Sequence, residues 1–391
     1  MTNAILAGVL SGSVALAVFT AVGYPTLLRV RAAGRRSPVE GALADDAVPD
    51  AASSASRLPL VTAVVATRED PAVIVERVRD LRAGDFPQEC FEVLVAVDAT
   101  SRYAPADYQA ALDGAARVVP GDPPGGKAAA LNAGVRAATG DVLLFADSAQ
   151  RFAPTVVRDL VMSVGVDGVG AVTGVIAPAA DDPLLDRYWQ HELELRRRQS
   201  RIHSIICVSG AVYAMRRSLW RPMPPGLICD DLFATTQVVM QGWRVVICER
   251  AIATDPRVFT REQHFVRKVR TLTGLVQLCA WTPEILLPWR NPIWLDLAIH
   301  KLARVMLPYV ALVAAVAGVW LAVRLGGMLV LWAGGLMAVA ALVVIRVKPA
   351  LARQAAWAAR LATAPVLAVS NALRGRWGVW QPAAAHRGGA E

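Results

Sequence analysis

The sequence predicts an α/β domain with a parallel sheet, joined to membrane-spanning helices at both ends. Short apolar runs alternate with helix-like stretches between residues 58 and 147, a pattern typical of a parallel sheet. Uncharged stretches near both ends are long enough to cross a bilayer. The composition agrees, because 55% hydrophobic and 19% charged residues are apolar for a soluble enzyme and too charged for a pure transporter.

The N-terminal segment is the first of these stretches. Residues 4–28 carry no charge, which predicts a transmembrane anchor over residues 1–28. A secretory signal is the alternative, but it would need a positive region before the apolar run, and here the arginines follow it. These arginines predict that the chain continues in the cytoplasm. Residues 29–57 are expected to form a flexible linker, since 37–57 are rich in Ala, Ser, Pro and Asp.

The α/β domain is predicted over residues 58–260. Four apolar runs predict its first strands: 58–67, 91–98, 116–120 and 141–147. Helix-like stretches at 71–83 and 127–139 lie between them. In a parallel sheet, ligands bind at the carboxyl ends of the strands. Polar residues that follow these runs are therefore candidates for a binding site.

The C-terminal third predicts further membrane contact. Residues 305–345 contain two uncharged stretches joined by a short RLGG turn, which predicts a transmembrane hairpin. Residues 261–304 are expected to form interfacial helices, because several tryptophans precede the hairpin. Residues 346–391 are expected to form an amphipathic, protein-packed or third C-terminal membrane helix and a tail, since Arg360 interrupts the apolar stretch.

Charge and cysteine usage limit the partners and the compartment. The net charge is +9, and much of the basic excess lies beside the apolar segments, so membrane topology explains it better than a nucleic-acid surface does. The five cysteines show no CxxC pair and no spacing linked to histidine. This pattern indicates reduced thiols facing a reducing compartment and disfavours a structural zinc site.

Polar residues follow three of the predicted strands. Thr67 and Arg68 follow the first, Asp98 ends the second, and Asp147 ends a later one. A single acid in such a place is most simply a turn residue or a helix cap. Because adjacent strand ends share one crevice, three polar strand ends in series favour a ligand site.

The ordered motifs VTAVVATRED, VLVAVDATS and GGKAAALNAGVRAATGDVLLFADSAQRF resemble a family 2 glycosyltransferase with a GT-A fold. The resemblance continues through VSGAVYAMRRSLW, ICDDLF and MQGWRVV and covers roughly residues 60–300. It implies a Rossmann-like nucleotide-diphospho-sugar transferase domain and transfer with inversion at the anomeric carbon. The membrane layout is similar to the polysaccharide-synthase branch, which includes hyaluronan, cellulose and poly-N-acetylglucosamine synthases.

The resemblance also implies roles for single residues. Asp231 in the CDD segment corresponds to the general base, with Asp230 beside it; a simple N-cap pair for the following helix is the alternative. Two adjacent acids can raise one another's pKa, which suits a base working near neutral pH. Asp98 matches the acid that contacts uracil, and Thr67 and Arg68 lie on the nucleotide side.

Three cations are candidates for binding the donor diphosphate. Lys127 follows PPGG, where a helix is expected to begin, and a cation at a helix start suits diphosphate. A plain surface lysine is the alternative. Arg267 and Arg270 are expected to clamp the diphosphate or to face lipid headgroups. Processive members of the family carry Gln-x-x-Arg-Trp, whereas this chain reads QHFVRKVR from Gln263, which argues against processive polymer synthesis.

The metal motif of the family is incomplete. Its two-acid form would be Asp-x-Asp, and here Asp147 is followed by Ser148 and Ala149. Mg²⁺ or Mn²⁺ needs oxygen ligands, and one carboxylate with diphosphate oxygens can bind it more weakly. Gln150 offers a neutral oxygen, and Arg151 could neutralise phosphate directly. The alternatives are a weakened metal site at Asp147, a metal-independent enzyme, and a degenerate one.

Together these features predict a membrane-bound inverting glycosyltransferase with its catalytic domain in the cytoplasm, at a bacterial-type inner membrane. The expected donor is a nucleotide sugar, UDP-linked, and the acceptor is a growing glycan or a lipid-linked molecule in exopolysaccharide or cell-envelope biosynthesis. Membrane lipids and a homodimer or polysaccharide-export partner are expected, and no nucleic acid. The alternatives are a non-processive transferase onto polyprenyl phosphate or a lipid, and a non-catalytic subunit of a polysaccharide complex.

Overall fold

The computed structural model describes residues 2–40, 58–178 and 183–377. Most of the predicted linker (41–57) and the C-terminal tail (378–391) lie outside the described residues. The chain begins with helix α1, Thr2–Ala32, which contains one π-helical turn at Phe19–Gly23.

The first half of the sheet confirms the predicted strands. The strands are β1 (Val61–Thr67), β2 (Phe91–Val97), β3 (Arg117–Pro120) and β4 (Val142–Ala146). They pair in parallel in the order β3-β2-β1-β4. The helices between them are α2 (Pro71–Arg82), α3 (Pro105–Leu112) and α4 (Lys127–Ala137). Asp70 fixes the start of α2, because its carboxylate accepts the N–H of Ala72 at 2.9 Å.

The second half of the sheet is mixed, so the expectation of a wholly parallel sheet is wrong here. Its elements are β5 (Arg151–Phe152), α5 (Val156–Val164), β6 (Val169–Pro178), α6 (Pro183–Ile202), β7 (Val212–Arg216), α7 (Asp230–Met240) and β8 (Arg244–Asp255). Strand β7 runs antiparallel to both β4 and β6, while β6 and β8 are parallel. The connection through α6 therefore leaves and re-enters the sheet at the same edge.

The direction of β7 determines which residues lie at the edge of the sheet where β4 ends. Since β7 is antiparallel to β4, the residues just before β7 lie at the edge where β4 ends. The segment 207–211 thus lies near Asp147, which follows β4. Apolar periodicity identifies a strand but not its direction, and this is why the sequence did not predict the arrangement.

The sheet is buried on both faces. Side chains that alternate along a strand enter two different hydrophobic clusters: Val64 and Leu143 in one, Val65 and Leu144 in the other. All four are fully buried. Near-continuous apolar strands are what a sheet covered on both sides requires.

The C-terminal helices are α8 (Arg261–Trp281), α9 (Ala303–Val347) and α10 (Pro349–Leu373). A short helical turn (Trp294–Asp296) and a π-helical turn (Leu297–Leu302) lead into α9. Helix α9 is broken at Gly327, whose φ is 55°, within the predicted RLGG turn. Helix α10 packs on α8 through the fully buried Ala364 and Ala368.

Within the residues that the structure describes, two helical segments are long and apolar enough to cross a membrane, Thr2–Ala32 and Trp294–Gly327. Length and composition alone support this, and the hairpin over 305–345 stays a prediction.

A buried polar network joins both segments to the α/β domain. The Tyr24 hydroxyl donates to Asp296 at 2.7 Å and accepts from the Gln199 amide at 2.8 Å. The same amide nitrogen lies 3.0 Å from His300 Nδ1, and His300 Nε2 lies 3.0 Å from a Glu192 oxygen. Because Tyr24 lies in α1 and Gln199 in α6, the network holds α1 against the domain.

Candidate functional site

A lysine lies between two carboxylates at the centre of the site. Lys127 is the first residue of α4, Asp147 follows β4, and Asp230 is the first residue of α7. The Lys127 Nζ lies 3.0 Å from an oxygen of Asp147 and 3.0 Å from an oxygen of Asp230. The structure therefore brings together three residues that are far apart in the sequence.

The Lys127 ammonium is stabilised by its two partners. Burial alone would lower the pKa of Lys127, but the charges of Asp147 and Asp230 outweigh burial and hold that pKa above its ordinary value. Lys127 is thus fully protonated at neutral pH. With its side chain only 28% exposed, it is not a plain surface lysine.

Asp231 lies beside this cluster and accepts the Leu232 N–H at 2.8 Å. Burial and the neighbouring charge of Asp230 raise the pKa of Asp231, while Lys127 and the Leu232 N–H oppose the rise. The N-cap of α7 is Cys229, and its side chain makes no capping hydrogen bond. Asp230 and Asp231 therefore lie in the first turn of the helix, and neither occupies the N-cap position.

Segment 207–210 packs against the acid pair. A Cβ on Gly210 would lie 3.4 Å from the Asp231 Cβ and 3.8 Å from an Asp230 oxygen. Arg196, in α6, donates to the Cys207 carbonyl at 2.9 Å and to the Ser209 hydroxyl at 3.2 Å. Sequence reasoning missed Arg196, because nothing in RRRQSR distinguishes it from the two arginines that follow.

The donor corner, formed by Thr67, Arg68, Asp98 and the glycine loop 125–126, lies at the ends of β1 and β2. Asp98 Oδ1 accepts the Gly126 N–H at 2.8 Å and the N–H and hydroxyl of Thr100 at 2.9 and 3.0 Å. The Thr67 carbonyl accepts the Asp98 N–H at 2.8 Å. Asp98 is buried and holds the glycine loop in place, a role that the sequence did not indicate.

Only glycine fits at position 125, where the loop approaches Asp98 and Thr100 closely. Its φ is +94°, and an added Cβ would lie 2.6 Å from the Thr100 Cγ2 and 2.8 Å from Asp98 Oδ1. A side chain would therefore collide with the residues that anchor the loop. Arg68 lies in the same corner: burial lowers its pKa, and the charges of Asp98 and Glu69 oppose that change.

Arg151 lies in the loop after Asp147, and its expected contact with phosphate stays a prediction. Arg151 Nη1 points to the carbonyls of its own loop, at 3.3–3.5 Å, so it stabilises the loop. Gln150 is buried, and its amide nitrogen donates to Asp255 at 2.9 Å. Its amide oxygen has no hydrogen-bond partner among the described residues.

Asp147 supplies one carboxylate for a hard cation, and that carboxylate already lies 3.0 Å from Lys127 Nζ. Among the residues described by the structure, there is no cluster of three His, Cys, Asp or Glu side chains that could hold a metal ion. In the sequence that follows Asp147, the buried amide oxygen of Gln150 is a further oxygen donor without a hydrogen-bond partner.

Arginines after β8 and in α8 complete the positive side of the site. Arg257 forms two 2.8 Å hydrogen bonds to the Asp255 carboxylate. The Arg267 guanidinium lies 4.1 Å from the centre of the Phe259 ring. Burial and Arg257 lower the pKa of Arg267, and Asp255 and Asp147 oppose that change, so Arg267 lies within the field of Asp147. Sequence reasoning missed Arg257, although Asp255 lies at the end of a strand, as Asp98 and Asp147 do.

Arg270 lies towards the CDD segment, where its charge opposes the rise that burial causes in the pKa of Cys229. Helix α8 is held there by close contact. A Cβ on Gly274 would lie 2.4 Å from the Cys229 Sγ, and the Gln277 amide accepts the Ile228 N–H at 2.9 Å. The geometry thus fixes Arg270 relative to the acids.

The comparisons with known proteins identify the family. Residues 59–280, more than half of the chain, match the family described as glycosyltransferase like family 2. The chain belongs to this family. The protein is therefore a glycosyltransferase with a GT-A-like α/β fold, as the sequence predicted. The sequence matches none of the curated proteins.

The fold agrees with that of one solved structure, and a second solved structure is similar over part of the chain. The mannosyltransferase PcManGT from Pyrobaculum calidifontis, in complex with GDP-Man and Mn²⁺, is 19% identical with a TM-score of 0.68, and the match covers 96% of this chain and 100% of that chain. The likeness thus extends beyond the α/β domain. Glucosyl-3-phosphoglycerate synthase from Mycobacterium tuberculosis, in complex with Mn²⁺, UDP and glucosyl-3-phosphoglycerate, is 17% identical with a TM-score of 0.42, covering 59% of this chain and 81% of that chain.

Proposed function

We propose that this glycosyltransferase is a membrane-bound, inverting enzyme that moves a sugar from a UDP-linked donor to an acceptor hydroxyl at the cytoplasmic face of the membrane. The observation that carries the proposal is the cluster in which Lys127 bridges Asp147 and Asp230 beside Asp231. A protonated cation and a carboxylate of raised pKa are the two groups that sugar transfer from a diphosphate requires.

Asp231 acts as the general base. The acceptor oxygen attacks the anomeric carbon as Asp231 takes its proton, and the bond from that carbon to the diphosphate oxygen breaks with its electron pair. A single displacement of this kind inverts the configuration. The raised pKa of Asp231 supports this role, because a base is most effective when its pKa approaches the working pH.

Cations stabilise the departing diphosphate. Lys127 stands at the start of α4, where the helix dipole adds positive potential. Arg267 and Arg270 approach from α8. A divalent ion, when bound, supplies further neutralisation of the diphosphate, and Asp147 and Gln150 are the residues that would hold it. The nucleoside lies at the donor corner, against Asp98, Thr67 and Arg68.

The membrane location rests on the two candidate spans and on the arginines that follow α1. The acceptor is a glycan or a lipid-linked molecule of the cell envelope, as in the polysaccharide-synthase branch, and a homodimer or an export partner suits a chain with few spans. The altered Gln-x-x-Arg-Trp segment favours a single transfer over processive synthesis. The intact acids argue against a non-catalytic subunit.

The test is transfer and donor hydrolysis by purified full-length protein across a panel of nucleotide sugars. We expect one UDP-sugar to be turned over, and Asp231→Asn to lower turnover at least about 1,000-fold with UDP affinity nearly unchanged, because the base is lost and the donor corner is intact. Asp113→Asn is the matched control, since Asp113 is exposed and its φ of 44° also suits asparagine. Normal turnover by Asp231→Asn would exclude the proposed mechanism.

A further inference from the structure

A second group of cations lies where α6, α8 and the start of α9 meet. Lys268 Nζ lies 3.5 Å from the Tyr188 hydroxyl and 5.7 Å from the centre of its ring. Arg304 donates a hydrogen bond to Glu192. Glu192 lies one helical turn after Tyr188 in α6. Lys301 lies one turn before Arg304. We name Lys268, Lys301 and Arg304 the cationic cluster.

The cluster carries more positive charge than its surroundings compensate. Glu192 is its carboxylate: burial would raise the Glu192 pKa, but the bond to His300 and the nearby cations hold that pKa well below its ordinary value. Arg304 is paired with Glu192. In the described part of the chain, neither Lys268 nor Lys301 forms an ion pair with a carboxylate. Two cations are thus left to attract an anion.

One face of α6 connects this cluster to the base. Tyr188, Glu192 and Arg196 follow each other at four-residue spacing, so each step is about 6 Å along the helix. Arg196 reaches the Cys207 carbonyl at 2.9 Å and the Ser209 hydroxyl at 3.2 Å, in the segment whose Gly210 lies next to Asp231. Glu192, the partner of Arg304, therefore lies about one helical turn from Arg196, and Tyr188, beside Lys268, lies about two turns from it.

The cluster also faces the level at which the membrane is expected. Tyr188 and Trp189 beside it are 41% and 45% exposed, and their rings contact edge to face at 5.8 Å. Lys301 and Arg304 belong to the segment that starts the second candidate span. Exposed Tyr and Trp rings with Lys and Arg are characteristic of the boundary between lipid and water.

Building on the proposed function, we propose that the acceptor is an anionic lipid whose headgroup carries a phosphate and a separate hydroxyl. The cationic cluster binds the phosphate, and the hydroxyl reaches Asp231. The hydroxyl oxygen forms the new bond to the anomeric carbon, its proton passes to Asp231, and the nucleoside diphosphate leaves with the electron pair of the broken bond. The products are a glycolipid and the nucleoside diphosphate.

A terminal lipid phosphate fits this arrangement less well. Its oxygen is already an anion and needs no base, and in that case the cluster would bind the nucleophile itself one to two helical turns of α6 away from Arg196, the residue that contacts the segment beside Asp231. A hydroxyl-bearing headgroup uses both groups of residues, because it places the charge and the nucleophile several ångströms apart.

The experiment uses the full-length protein with the UDP-sugar found in the donor panel and with phosphatidylcholine vesicles of five compositions. One set of vesicles is phosphatidylcholine alone. The other four sets each contain one addition: phosphatidylglycerol with phosphatidylinositol, phosphatidic acid, diacylglycerol, or polyprenyl phosphate. Free glycerol 3-phosphate is tested in solution. We expect labelled sugar in the lipid fraction with phosphatidylglycerol or phosphatidylinositol, and competitive inhibition by phosphatidic acid, which has the phosphate without the hydroxyl.

Equal or better transfer to diacylglycerol, polyprenyl phosphate or free glycerol 3-phosphate would overturn the proposal. Donor turnover distinguishes a failure of the acceptor proposal from a failure of the proposed function. If the donor is hydrolysed but no anionic lipid is glycosylated, only the acceptor proposal fails. If no nucleotide sugar is bound or hydrolysed, the proposed function fails as well.

Charge variants locate the phosphate site. We expect Lys268→Gln and Lys301→Gln each to raise the KM for the anionic lipid about tenfold with a smaller change in kcat, since a charge-assisted contact is lost. UDP binding in the same samples reports on folding. The matched control is Arg29→Gln with Arg31→Gln, two exposed cations near the end of α1, which should leave the KM unchanged. An equal rise of the KM in the control would show that the cations act through general attraction to the membrane, and it would overturn the proposed phosphate site.

Discussion

The donor corner and the acid cluster of Lys127, Asp147, Asp230 and Asp231 meet at one edge of the sheet, but different interactions hold them. In the donor corner, Asp98 accepts backbone N–H groups, and a glycine approaches to a distance that a Cβ would fill. In the acid cluster, charge holds the geometry, with one ammonium 3.0 Å from each of two carboxylates. The donor corner should therefore respond to changes of shape, and the acid cluster to changes of charge.

Among the changes that test this comparison of charge with shape, removing the charge of Lys127 is expected to have the largest effect. Lys127→Gln leaves Asp147 and Asp230 facing each other and removes a cation from the diphosphate site, so we expect kcat/KM to fall about 100-fold or more. Because Lys127 lowers the pKa of Asp231, its loss should raise that pKa further. The base form is present only above its pKa, so the acid limb of the pH profile of kcat/KM should move to higher pH.

Lys127→Arg is the informative companion, since it keeps the charge and changes the shape. If charge holds the cluster, the arginine variant should retain more activity than the glutamine variant and keep the acid limb near its original pH. Equal loss in both variants, with no movement of the limb, would show that shape rather than charge governs this half of the site.

A smaller effect is expected from Gly125→Ala in the donor corner. The added Cβ would meet Thr100 and Asp98 at 2.6 and 2.8 Å, so the loop has to move away from its anchor. We expect the dissociation constant of UDP to rise about tenfold, by roughly 1.4 kcal/mol, measured by calorimetry. Gly114→Ala is the control, since Gly114 also has a positive φ (+77°) but has nothing within 4 Å of the added Cβ. Equal effects on UDP binding would point to backbone strain alone.

The smallest effect is expected at the incomplete metal motif. Turnover should show a weak dependence on divalent cations, with chelator lowering it less than about tenfold, because the protein offers one carboxylate where two are usual. Ala149→Asp adds an acid two residues after Asp147 and should increase the stimulation by Mn²⁺. The measurement is turnover as a function of Mn²⁺ and Mg²⁺ concentration. If the variant changes neither metal response nor activity, the placement of this loop at the diphosphate is wrong.

The sequence predicted the first half of the sheet because its strands are short, mostly apolar and separated by helices, so that local pattern and tertiary position agree. Each of the four predicted strands appears within a few residues of its expected bounds. The direction of β7 depends on how α6 returns the chain to the sheet, and no local pattern records that path. This is why the mixed half was not predicted.

The same limit applies to the site. Asp98 and Asp147 were predictable because a polar residue at a strand end is a local signal, and Lys127 because it follows the glycines that start a helix. The contact between Lys127 and Asp230 joins residues more than one hundred positions apart. Arg196 is one of three consecutive arginines, and only the fold turns it towards Cys207.

The hydrogen-bond network around Tyr24 has a practical consequence for anyone who wishes to handle this enzyme in water. Cutting the chain after α1 would remove the hydroxyl that Asp296 and Gln199 share, and it would leave two interior polar groups without that partner, at a typical cost of about 1–3 kcal/mol each. The first helix, which is long and apolar enough to cross a membrane, is thus also a structural component of the folded domain. We expect a chain cut after this helix to be less stable than the full chain.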